Sequence, residues 1–129
     1  MRPLANHRNK KGADFNMEIE LLNHLKMMVI RVDGEIDHHI AKNLRSEIDR
    51  VLSCSGVINI AFDFSKVSFM DSSGIGVIMG RYKKVNSLGG RIIIFGMNSN
   101  IKRLIEMANL KSIAHIANTL EDVIWEVRN

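Results

Sequence analysis

The chain has 129 residues, 46% hydrophobic and 25% charged, with a formal net charge of +4 and one cysteine. That size and balance predict one globular domain, burying about two thirds of its unfolded surface and needing no disulfide or metal to hold it. The charge argues against a nucleic-acid partner once it is divided along the chain: Arg2, Arg8, Lys10 and Lys11 against Asp14 put +3 on residues 1–16 and leave only +1 on the rest.

Cys54 excludes an intramolecular disulfide and, with no matched histidine constellation, fits a small residue near a helix end in a reducing cytosol. The basic N-terminus runs into K-K-G-A-D-F-N, not into an apolar segment, so no signal peptide is expected. No run approaches the roughly 18 apolar residues of a membrane span. A cytoplasmic protein without a membrane partner is expected.

Residues 1–16 show neither helical nor strand periodicity and contain the only proline. They read as a disordered N-terminal extension, with the domain occupying 17–129. Apolar runs at 17–22 and 27–32, separated by four residues, predict a hairpin that ends at Asp33 and Gly34. Asp37 is placed to cap a helix in which Ile40, Ala41, Leu44, Ile48, Val51 and Leu52 recur at helical spacing, opposite Lys42, Arg45, Asp49 and Arg50. His38 and His39 invite a metal reading. Adjacent helical side chains diverge by about 100°, whereas zinc helices use i and i+4, so the pair reads as two polar residues of a first turn.

Residues 57–64 are apolar almost throughout and predict a central strand covered on both faces. The strand leads through a short loop to Asp71, Ser72, Ser73 and Gly74, and then into a second helix. Its predicted core stripe is Ile75, Ile78, Met79, Tyr82 and Val85, with Val77, Gly80, Arg81 and Lys84 pointing away and Gly76 on the flank beside Gly80. Three glycines, Gly74, Gly76 and Gly80, cost about 2–3 kcal/mol relative to alanine if all are interior. Either the helix packs tightly on its own domain or a partner approaches it closely. The geometry favours the partner at Gly76 and Gly80.

Gly89 and Gly90 end this helix, and R-I-I-I-F-G predicts another buried strand. Ser99 or Asn100 caps a third helix through Leu104, Ile105 and Ala108, and 113–117 forms an edge strand. Thr119 with Asp122 resembles a capping box opening a last helix, with Leu120, Val123, Ile124 and Val127 inward and Trp125 packed partly on the body. The order β-β-α-β-α-β-α-β-α predicts an α/β fold: a mixed four- to five-stranded sheet with about four covering helices and three right-handed crossovers.

The chemistry centres on Ser72. The first amides of a helix lack intrahelical partners and carry the positive end of its dipole, so a phosphate there meets donors and a favourable field. With Asp71 capping, Ser72 falls in the first turn and a phosphate on it requires no unfolding. A hydrolase elbow needs glycine two residues before and after the nucleophile. Ser72 has Met70 and Gly74, and Ser73 has Asp71 and Ile75. Gly74, Gly76 and Gly80 give G-x-G-x-x-x-G, one residue longer than the dinucleotide fingerprint, and no G-K-[ST] follows. Nothing calls for a cofactor, a metal or enzymatic activity, although nucleotide binding stays open as an alternative.

The stretch 69–83, F-M-D-S-S-G-I-G-V-I-M-G-R-Y-K, resembles the phosphorylated loop and following helix of the anti-sigma factor antagonists, which are single STAS domains. G-E-I-D-H-H at 34–39, the Gly89-Gly90 pair and I-K-R-L-I-E-M-A-N-L at 101–110 extend the resemblance, which begins near Met17. It implies the same α/β architecture and a domain that binds an anti-sigma factor that is also a serine kinase, thereby freeing the sigma factor, in sporulation control. It further implies that this kinase phosphorylates Ser72 to switch binding off and that a serine phosphatase of the protein phosphatase 2C class reverses it. Asp37, Asp71, Ser72, Ser73, Gly74, Ile75, Gly76, Val77 and Gly80 are the expected partner-binding residues. A STAS regulatory module of another partner-switching pathway is the alternative.

Overall fold

The computed structural model describes residues 6–10 and 16–128. Among these, β1 (Asn6–Lys10), β2 (Asn16–Leu22) and β3 (Met27–Ile36) precede α1 (His38–Ser55). Next come β4 (Asn59–Asp63), β5 (Val67–Met70) and α2 (Ser72–Ser87). The chain closes with β6 (Ile92–Phe95), α3 (Ser99–Met107), β7 (Ala114–Ala117) and α4 (Leu120–Arg128). The sheet is mixed, in the order β1-β2-β3-β4-β6-β7, with β5 added to the far end of β3.

The hairpin forms as the apolar runs predict: β2 is antiparallel to β3, with Ile19 opposite Ile30. From β3 onward the neighbours are parallel, β3 to β4 to β6 to β7, because a helix intervenes between each successive pair. Strand alternation then sorts side chains to two cores. Met28, Ile30, Ile60 and Phe62 face the larger core with α1, α2 and α3, whereas Met27, Val29 and Ala61 face the smaller one with Val123 of α4. Every residue of β4 is buried, as a strand covered on both faces requires. At the other end of α2, the backbone of Gly90 passes so close to Ile58 that a Cβ there would fall onto its carbonyl oxygen.

Several expectations need correction. The sheet has seven strands among the described residues, not four or five. Asn6–Lys10, expected to be disordered, pairs with β2, because a strand at a sheet edge is held by main-chain hydrogen bonds that leave no side-chain period to read. Residues 1–5 and 11–15 of the expected extension lie outside the described residues. β3 does not stop at Asp33: it continues to Ile36 through a register shift at Gly34, whose φ of +109° is open to glycine. The third helix is capped by Asn98, which accepts from the Ile101 amide at 2.9 Å, one residue before Ser99 and two before Asn100, the expected caps. Trp125, expected to pack partly on the body, is 68% exposed, so most of its surface stays open. Thr119 does cap α4, its hydroxyl accepting from the Asp122 amide at 3.2 Å.

Candidate functional site: two capped helix starts on paired strands

A strand within the expected loop, β5, assembles the site. β5 runs parallel to β3, with Gly34 opposite Val67 and Ile36 opposite Met70, and the Asp71 amide donates to the Ile36 carbonyl at 3.2 Å. G-E-I-D-H-H and F-M-D-S-S-G, more than thirty residues apart in sequence, therefore lie side by side at the C-terminal ends of two paired strands.

Each strand turns into a helix through an aspartate. Asp37 is extended, and its carboxylate accepts from the Ile40 amide at 2.9 Å. Asp71 has nearly the same backbone angles and accepts from the Ser73 amide at 2.8 Å. Both are N-caps that satisfy donors the helix itself cannot. Ser72 is the first residue of α2 and is exposed, which leaves its hydroxyl accessible beside the positive end of the helix. His38 and His39 are exposed in the first turn of α1. Among the described residues no group of three or more His, Cys, Asp or Glu side chains is placed to hold a metal ion.

The expected partner-binding residues divide by burial. Asp37, Ser72 and Gly76 are exposed, and Asp71, Ser73 and Gly80 are half-buried. Gly74, Ile75 and Val77 are buried, so they support the surface from behind and do not form it. The expectation that Val77 and Arg81 point outward is overturned: they are 1% and 7% exposed, while Met79, assigned to the core, is 47% exposed. The buried face of α2 runs through Gly74, Ile75, Val77, Ile78, Arg81 and Val85, about a sixth of a turn from the expected stripe, with which it shares Ile75, Ile78 and Val85. An arginine in that row disguised it.

The glycines divide in the same way. A Cβ at Gly74 would run into Met70 and approach Ile36 Cγ2 to 3.4 Å, so its bareness serves packing within the domain. Gly76 and Gly80 have nothing within 4 Å of a built Cβ, so no contact within the domain requires them. What sequence reasoning missed altogether is β5, for which the buried ends of V-S-F-M were the available signal, and the contact of Arg81 with Asp49 on α1 described below.

The model of the STAS domain family matches residues 17–123. The anti-sigma F factor antagonist of Paenibacillus polymyxa is 33% identical over 112 residues, spanning 87% of this chain and 96% of that protein. The solved structure of the anti-sigma factor antagonist SpoIIAA in its unphosphorylated form superposes with a TM-score of 0.77 at 30% identity, covering 87% of this chain and 96% of that one. The Bacillus cell fate determinant SpoIIAA in the phosphorylated form gives 0.69 at 30% identity, covering 86% and 98%. With the family model spanning most of the chain and both motifs gathered at one edge of the same fold, the protein belongs to the STAS domain family, alongside the anti-sigma factor antagonists.

Proposed function

We propose that this protein is an anti-sigma factor antagonist switched by phosphorylation of Ser72. In its unphosphorylated form it binds an anti-sigma factor that is also a serine kinase, through the surface formed by Asp37, Asp71, Ser72, Ser73, Gly76 and Gly80, and the sigma factor is released. The kinase then transfers phosphate from ATP to Ser72, binding ends, and a phosphatase of the protein phosphatase 2C class restores the active form. The protein acts as a cytoplasmic binding domain and a substrate, not as an enzyme, and the pathway is sporulation control. No helix among the described residues is long and apolar enough to cross a membrane.

The observation that carries this reading is the exposed Ser72 at the capped start of α2, beside a second capped helix start that belongs to the other family motif. Phosphate there adds about −1.5 to −2 charges next to Asp71 and Asp37 without requiring the domain to unfold. The added charge and bulk oppose rebinding at the surface where the kinase must sit to reach the hydroxyl. Gly76 and Gly80, bare without an internal reason, allow a partner backbone to come close.

The test is intact-protein mass after incubation with the cognate anti-sigma kinase and ATP. Wild type gains one phosphate and Ser72→Ala gains none. Absence of phosphate on wild type with an active kinase, or its presence on Ser72→Ala, refutes the assignment.

A further inference from the structure

Arg81 occupies a core position on α2, in one row with Val77, Ile78 and Val85, and is 7% exposed. Its Nε lies 3.1 Å from Oδ1 of Asp49 on α1, and the second carboxylate oxygen of Asp49 lies 3.0 Å from Lys84 Nζ. One acid of α1 therefore holds two cations of α2. The Arg81 contact is an ion pair by distance alone: Arg81 Nε, Arg81 Nη1 and Asp49 Oδ1 are buried and make no hydrogen bond, because the donor is not aimed along the line to the oxygen. Burial pulls the Arg81 guanidinium below its ordinary value, Asp49 opposes that shift, and Arg45 adds to it.

Arg81 is buried while Asp49 is half-buried, and an ion pair taken out of water is a poor source of stability, since desolvation offsets much of its attraction and an apolar residue of similar volume often serves as well. What it supplies that methylene groups do not is mutual selection: a shift of α2 against α1 that separates the charges leaves the buried Arg81 guanidinium uncompensated, which is costly. The pair therefore penalises other registers of the two helices. Arg81 lies about 2.5 turns from the start of α2 and Asp49 about three turns from the start of α1, so a shift at the pair would displace both capped ends.

We infer that Arg81 and Asp49 form a positioning clamp that fixes α2 against α1 and so keeps the Ser72 end in place beside the Asp37 end. Neither residue touches the partner; they act through the two helix starts. The clamp is a property of the domain alone, and only its consequence for binding rests on the function proposed above.

Amide hydrogen exchange on the full chain tests it, comparing wild type with Arg81→Met and with Asp49→Asn. The reporters are the first-turn amides of Ala41 and Gly74, which donate to the Asp37 and Asp71 carbonyls, measured against Ala61 and Phe62 in the central strand. In Arg81→Met the first-turn amides exchange about tenfold faster than any change at the central strand accounts for. An equal change at all four amides, or no change, overturns the clamp. Should Arg81→Met not fold, Asp49→Asn decides by the same comparison. Binding of the same variants to the anti-sigma kinase separates the two claims: failure of unmodified wild type to bind counts against the proposed function and leaves the exchange result standing.

Discussion

α1 and α2 start alike, each from an extended aspartate whose carboxylate accepts from an amide two or three residues on, and each at the end of one of two paired strands. Beyond the first turn they diverge. α1 is an ordinary amphipathic helix with Ile40, Ala41, Leu44, Ile48 and Val51 buried and no glycine in its length. α2 carries Gly74, Gly76 and Gly80, exposes Met79 and buries an arginine. By helix propensity and core composition α1 is the better built of the two, and it serves as the support. α2 gives up roughly 2–3 kcal/mol of propensity, and only Gly74 is repaid by packing inside the domain. The other two leave a low surface running from Ser72, and on the proposed function that is where partner binding, not folding, sets the sequence.

Substitutions sharpen this contrast, and the largest effect is expected at Ser72. Ser72→Asp places a charge where phosphate would sit and should weaken kinase binding by about 3 kcal/mol, more than a hundredfold in affinity, in a calorimetric titration. Tight binding by that variant would remove the electrostatic part of the switch. Next, chemical denaturation should separate two apolar residues of α2 that composition does not distinguish. Val77→Ala should lose about 2 kcal/mol because Val77 is 1% exposed, while Met79→Ala should change stability by less than about 0.5 kcal/mol. Equal losses would mean that the observed face of α2 is misassigned.

Gly76→Ala has the opposite sign. With open space around the new methyl, it should raise stability by about 1 kcal/mol in the same assay yet weaken kinase binding, a combination that a purely structural glycine would not give. The smallest effect on stability belongs to Asp37→Asn. Asparagine still caps, so unfolding should move by less than about 0.5 kcal/mol; a clear loss of kinase affinity would then assign the carboxylate to the partner, and unchanged affinity would confine it to capping.

Much of this was legible in the residues. Asp37 and Asp71 were read as caps, Ser72 as the first turn of a helix, and 57–64 as a strand buried on both faces, because capping and apolar runs are local signals. What failed to show was whatever depends on a neighbour. β5 is four residues long, and its pairing with β3 is fixed by the partner strand, so V-S-F-M passed for loop. Arg81 reads as surface in any helical wheel, and only Asp49, thirty-two positions earlier, makes its burial tolerable. That single residue turned the inferred face of α2 and made Val77 look exposed. The resemblance at 34–39 and 69–83 pointed to both halves of the candidate site, but not to the strand pairing that joins them.

On the proposed function, phosphate on Ser72 closes a surface that is otherwise open to the anti-sigma kinase. The most direct measurement is the dissociation constant of the kinase for two samples of this protein, unmodified and quantitatively phosphorylated at Ser72, under identical nucleotide conditions. The unmodified protein should bind at least about a hundredfold more tightly. Equal affinities would contradict the switch, whatever the mass spectrum shows about where the phosphate goes.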